Sequence, residues 1–213
     1  MTRSEAEQAL LAGMELVRRQ KDNGVAILAT GEMGIGNTTT SSAVACALLG
    51  RPAVELTGRG AGLSDAGLER KIAAVETALN VNRPNAADPL DVLSKVGGLD
   101  LAGLCGVFLG GARYGVPVLV DGFISSVAAL CALRLCPNGG KALLASHVSA
   151  EPAGALLLDA LGKRPLITAG LRLGEGTGAV AALPLLDMAL AVYRDCYTFA
   201  QGGIEAYTPQ EDR

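Results

Sequence analysis

The residues best able to do chemistry in this chain lie in short glycine-rich clusters. Gly31-Glu32-Met33-Gly34-Ile35-Gly36-Asn37-Thr38-Thr39 follows an apolar run and opens a helix. In that setting free backbone N–H groups and the positive end of the helix converge on one point, which suits a phosphate. Glycines at 34 and 36 let the backbone approach the anion closely. The Gly31-x4-Gly36 spacing imitates a P-loop, but Asn37 stands where the triphosphate-gripping lysine would be. No third glycine completes a dinucleotide fingerprint. The turn therefore points to a monophosphate ligand rather than to ATP hydrolysis, the alternative being a tight strand-to-helix connection that binds nothing.

Gly174-Glu175-Gly176-Thr177-Gly178 is a second cluster. A carboxylate flanked by glycines can project into a cleft with room for a substrate beside it. Glu175 could then act as a general base if desolvation raised its pKa. A surface turn ending in a helix-capping Thr177 is the competing reading. Gly58-Arg59-Gly60-Ala61-Gly62, with Lys71 downstream, would suit an anionic ligand, yet Lys71 among Glu69, Arg70 and Glu76 also reads as a solvated helix face. His147, between Ser146 and Ser149, hints at nucleophilic catalysis, but no G-x-S-x-G elbow accompanies it and a hydrogen-bonded structural histidine is the better reading. Asp121-Gly122, after an apolar run, gains weight only from its company.

Regular elements must hold these clusters in place. Thr2-Arg3-Ser4-Glu5 has capping-box spacing, and Ala6, Leu10, Met14 and Val17 mark one face of a helix that Lys21-Asp22-Asn23-Gly24 ends. Residues 25–30 form a continuous apolar run expected to be a strand buried on both faces. Helices are expected over 38–49, 64–79, from Asp88-Pro89 onward, 103–114, 125–135, 150–161 and 178–193. Further strands are expected at 116–121, 142–145 and, briefly, 165–168, and the polar tail after Gln201 is expected to fray. Alternating strands and helices predict an α/β fold, a mainly parallel Rossmann-like sheet in a three-layer αβα sandwich, formed as one domain over 1–213. The glycine-rich and polar clusters fall at the carboxyl ends of the predicted strands, where such sheets bind ligands.

Composition narrows the function further. The 213 residues are half apolar and carry 18 Lys+Arg against 21 Asp+Glu, a net charge of −3 without the basic stripe that nucleic acid requires. Aromatics are 3% with no Trp, so base-stacking platforms are excluded. Five cysteines, Cys46, Cys105, Cys131, Cys136 and Cys196, show no C-x-x-C spacing. All but Cys196 sit among apolar or small residues, which suggests buried thiols in a reducing cytosol. One histidine cannot build a His-based metal site. The longest near-uncharged stretch, 122–133, is too short to span a bilayer. A soluble cytoplasmic protein is expected.

Taken in order, Gly31 to Thr39, Gly58-Arg59-Gly60, Gly97-Gly98, Asp121-Gly122-Phe123, Ser146-His147 with Ser149-Ala150-Glu151, and Leu171-Arg172-Leu173-Gly174-Glu175-Gly176-Thr177-Gly178-Ala179 resemble the nicotinate-nucleotide–dimethylbenzimidazole phosphoribosyltransferase family. The resemblance runs from about Thr2 to Tyr197. It implies transfer of phosphoribose from nicotinate mononucleotide to 5,6-dimethylbenzimidazole in building the lower ligand of cobalamin. It also implies a homodimer and no metal or redox cofactor.

Residue roles follow from the same resemblance. Glu175 matches the base that takes the benzimidazole proton, and Glu32 matches a second acid close to the reacting ribose. Gly34, Ile35, Gly36, Asn37 and Thr38, with Gly60, Gly122, Ser149, Leu173 and Gly174, match the part that holds the nucleotide and its phosphate. Lys71 matches a lysine near the site, which the resemblance favours over the solvated reading. Family enzymes are longer, and this chain begins where their middle begins. The resemblance therefore covers the phosphoribosyl half of the site better than the aromatic-base half. A shortened ribotide-binding module that turns nothing over, or a half-site completed by a partner, is the alternative.

Overall fold

A computed structural model describes residues 1–205 and residue 208. Three strands, β1 (Leu28–Ala29), β2 (Val118–Val120) and β3 (Leu143–Ala145), form a parallel sheet in the order β1-β2-β3. Leu28 aligns with Val118, and Val118 in turn with Leu143. The α/β class and the parallel sheet read from the sequence are therefore present.

The first strand is much shorter than the apolar run that suggests it. Val118 is the first residue of β2, and Pro117 before it has no N–H to donate, although its carbonyl accepts from Leu28 N at 3.0 Å. Val25 N instead bonds back to Gln20 O at the end of the first helix. The run also lies at the sheet edge, so Ala26 and Ala29 are exposed rather than buried on both faces.

Nine α-helices are found among the described residues, interspersed with the strands. α1 (Arg3–Asp22) opens with the capping box foreseen at Thr2 and Glu5, and α4 (Asp65–Asn82) is capped by Ser64. α5 (Pro89–Val96) has Asp88 accepting from the N–H groups of Leu90 and Asp91. α2 (Asn37–Leu49), α3 (Ala53–Leu56) and a 3₁₀ turn at Pro137–Ala142 fall in between and after. α6 (Leu99–Tyr114) and α7 (Phe123–Leu135) start a few residues earlier than expected, and α8 (Gly154–Leu161) starts later. In the last case residues 150–153 wrap into a turn first, with Gly154 N bonded to Glu151 O. The strand expected at 165–168 is a single bridge between Ile167 and His147.

α1 lies against α6 so closely that a Cβ on Gly13 or Gly106 would strike the facing helix backbone. The core centres on α7, every residue of which from Phe123 to Ala132 is buried, together with Phe108, Leu101 and Leu143. Each such large side chain removed from water contributes roughly 1.5–3 kcal/mol. Cys46, Cys105 and Cys131 are buried free thiols, but Cys136 is exposed, contrary to its apolar neighbourhood in sequence. It follows the last turn of α7, where the chain leaves the core.

By internal packing the chain divides into Met1–Ala182 and Leu183–Arg213. α9 (Thr177–Asp195) begins in the first unit. It is long and apolar enough by length and composition to cross a membrane, a candidate the sequence reading of 122–133 overlooked, although it carries Pro184 and Asp187. In the second unit Leu185, Met188 and Val192 are exposed. Most of the tail expected to fray lies outside the described residues.

Candidate active site

The three strands deliver Thr30-Gly31, Asp121-Gly122 and Ser146-His147 to their carboxyl ends, where a cleft of about 400 Å³ opens. Its walls bring together Glu32, Gly34, Asn37, Thr38, Gly60, Gly122, Ser149, Leu173, Gly174 and Glu175, ten of the positions named from sequence. Three others do not line it. Ile35 is fully exposed, Gly36 sits at the N-cap of α2, and Lys71 lies beneath Thr38.

At the N-terminus of α2, Gly36 has φ 83°, a left-handed conformation that favours glycine, and no side chain to cap the helix. Thr39 N bonds to Gly36 O at 2.9 Å, and the N–H groups of Asn37 and Thr38 at the start of the turn have no side-chain cap. Asn37 donates a short hydrogen bond to Glu32 Oε2. Glu32 is half-buried, and burial raises its pKa above the ordinary carboxylate value. The charges of Asp121, Asp100 and Glu175 push the same way, while the Asn37 hydrogen bond opposes them.

Glu175 sits on the opposing turn with φ 59°, between Gly174 at 79° and Gly176 at 81°. Three successive left-handed residues are unusual, and Glu175 is not glycine. Glu32 Oε1 lies 3.2 Å from where a Cβ on Gly174 would stand, so both glutamates face one volume. Glu175 is exposed, and its desolvation awaits whatever fills the cleft.

Lys71 is 7% exposed and not a solvated helix-face residue. Its ammonium donates to Thr38 Oγ1 at 2.8 Å and Gly58 O at 2.9 Å, joining the start of α2 to the 58–62 loop. Burial lowers its pKa, against the charge of Glu151. Glu151, named from sequence only within the Ser149-Ala150-Glu151 motif and given no role, lines the same cleft, and burial raises its pKa despite Lys71 and Arg172. A second cleft of about 670 Å³ adjoins the first and shares Gly60, Glu151 and Arg172 with it.

His147 is buried and hydrogen-bonded, as the structural reading held, yet it also lines the cleft. Ser146 Oγ donates its one proton to Val120 O at 2.6 Å, so its 3.0 Å contact with His147 Nδ1 needs the proton on Nδ1. Nε2 is then an acceptor. Burial lowers the His147 pKa, with Asp121 opposing. Among the described residues no three His, Cys, Asp or Glu side chains group as a metal site would need.

The arrangement pairs an uncapped helix N-terminus with two carboxylates across one cleft, fit to hold a phosphate ester and to meet positive charge or take a proton beside it. Comparison with known proteins agrees. A family model described as phosphoribosyltransferase matches residues 1–204. Nicotinate-nucleotide–dimethylbenzimidazole phosphoribosyltransferases from Ruminiclostridium cellulolyticum and Acetivibrio thermocellus are 49% and 50% identical over 99% of this chain. A crystal structure of CobT from Thermus thermophilus superposes with a TM-score of 0.90 at 45% identity over 96% of the chain. The chain spans 60% of the length of those two sequence relatives and 61% of the solved one. With a whole-chain match of this kind over the cleft just described, the chain belongs to the phosphoribosyltransferase family.

Proposed function

We propose that this chain carries the phosphoribosyl-transfer centre of an enzyme that moves phosphoribose from nicotinate mononucleotide to 5,6-dimethylbenzimidazole, giving α-ribazole 5′-phosphate and nicotinate. The observation that carries it is the pair Glu32 and Glu175 facing one cleft beside the uncapped start of α2. A benzimidazole nitrogen forms the new bond to C1′. The bond from C1′ to the pyridinium nitrogen breaks, and its electron pair neutralises that ring, which leaves as nicotinate. The N–H proton of the benzimidazole goes to Glu175. Positive charge on the ribose ring in transit is met by the carboxylate of Glu32. Attack opposite the leaving group inverts the anomeric centre from β to α. The α2 N-terminus, with Gly60, Gly122 and Ser149 around it, holds the 5′-phosphate, and Lys71 fixes Thr38 beneath it.

The same reading makes the protein a cytoplasmic homodimer. Five free thiols suit a reducing compartment, and exposed apolar side chains on α1, Leu11 and Leu16, suit burial against a second copy. Incubating the chain with both substrates and separating products by liquid chromatography with mass detection tests the reaction. Appearance of α-ribazole 5′-phosphate is expected. Saturable nucleotide binding without product would favour the ribotide-binding module instead.

A further inference from the structure

We propose that Asp121 is the positioning residue for Glu175, acting as a cap supplied to α9 from β2 across the sheet. This rests on the reading of Glu175 as the base. A helix normally caps itself through an N-cap side chain that accepts from the N–H two or three residues on. In α9 the first intrahelical bond runs from Val180 N to Gly176 O, which makes Gly176 the N-cap. Gly176 has no side chain to do this. Nor can it gain one cheaply, because its φ is 81° and its backbone lies against Gly31.

Asp121 fills the role from elsewhere in the chain. Its Oδ2 accepts from Gly176 N at 3.1 Å and its Oδ1 from Ala179 N at 3.0 Å. The residue is 1% exposed, and a carboxylate is tolerated there because both oxygens meet N–H groups at the positive end of a helix. Its own N–H is held by Thr30 Oγ1 at 3.2 Å, and that hydroxyl donates to Leu119 O at 2.8 Å. The clamp thus runs from the ends of β1 and β2 to the Gly176 and Ala179 N–H groups, on the helix side of the turn.

Glu175 is the residue this clamp constrains. It stands one position before Gly176 in the left-handed region, where a non-glycine residue persists only if its surroundings impose it. Thr177 Oγ1 donates to Gly174 O at 2.7 Å and closes the turn from within, while Asp121 hydrogen-bonds it to the end of β2, beside the packing of Gly176 against Gly31. Asp121 also leaves the two helix starts with different tasks. The α9 start is occupied by protein, while the α2 start remains free for the substrate's phosphate.

Asp121→Asn keeps the shape but replaces one acceptor by a donor facing an N–H. Amide exchange and the HN–Hα coupling of residues 174–179, measured by NMR on the 213-residue chain, are the direct readout. Exchange at Gly176 and Ala179 should quicken by about tenfold or more, with the Glu175 coupling leaving its left-handed value and the core amides unchanged. In turnover, kcat should fall by about 10–100-fold with the nucleotide KM within about threefold, and adding Asp121→Asn to Glu175→Gln should cost no more than about twofold further. Thr30→Val, which releases the Asp121 N–H, should show the same pattern more weakly and carries the test if the Asn variant does not fold. Unchanged exchange and coupling would overturn the proposal, as would a full additive loss of kcat in the double variant. If the wild-type chain makes no product, it is the proposed function that fails, and the NMR arm still decides whether Asp121 imposes the Glu175 conformation.

Discussion

At the residue scale, Glu175 and Glu32 differ in environment. Glu175 is exposed on a left-handed turn, whereas Glu32 is half-buried with its pKa raised, chiefly by burial. A base that acts only on a proton in transit contributes little to holding the nucleotide. Glu175→Gln should therefore lower kcat by about 10²–10⁴-fold while leaving the nucleotide Kd nearly unchanged. An unchanged kcat with a large rise in Kd would move the role of base to Glu32. His147 supports a pH prediction. Its folded pKa lies below the ordinary 6.5, so between the two values the unfolded chain binds more protons and stability rises with pH. The groups facing it are the Asp121 carboxylate, which opposes the shift, the Ser146 hydroxyl and the Gly178 backbone. The stability advantage of the wild type over His147→Gln should narrow as pH falls through that window. Urea titrations at about pH 7.5 and about pH 5.5 measure it, and a constant gap would show that His147 is not the group that titrates.

At the scale of elements, the site is made by helix starts aimed at the ends of parallel strands. α2 begins at a glycine that cannot cap, α7 begins at Gly122 and α9 at a turn already held by Asp121. In the proposed function the phosphate takes the α2 start, where Asn37 is bonded to Glu32 instead of reaching outward as a P-loop lysine does. Without that lysine a triphosphate gains nothing over a monophosphate and meets the added charge of Glu32. Calorimetry should find nicotinate mononucleotide binding more tightly than ATP. Equal or tighter ATP binding would contradict the monophosphate assignment.

For the whole molecule, the exposed apolar side chains matter most. Leu11 and Leu16 on α1 are 60% and 49% exposed. Leu185, Met188 and Val192, at helical spacing in the second unit, form a stripe of their own. Surfaces of this kind mark association. Light scattering across micromolar concentrations should find a dimer, and a monomer throughout would remove the homodimer from the proposed function.

Local chemistry determined much of this protein in advance. The Thr2–Glu5 capping box, the Ser64 and Asp88 caps and the glycine turn before α2 are written in a few adjacent residues, because helix ends are satisfied by near neighbours in sequence. The ordered motifs from Gly31 to Ala179 likewise carry the family resemblance in local sequence alone. What needed tertiary structure is set by contacts between distant segments. The apolar run at 25–30 shrinks to two strand residues because Pro117 lies opposite and, among the described residues, no further strand covers the edge. Lys71, charged among charges in sequence, is buried because Thr38 and Gly58 supply its acceptors. Asp121, one acid after an apolar strand, becomes the anchor of Glu175 only because folding brings residue 176 to its carboxylate, 55 positions along the chain. Hydrogen bonds of that reach leave no periodicity or spacing to read, so only the folded chain decides them.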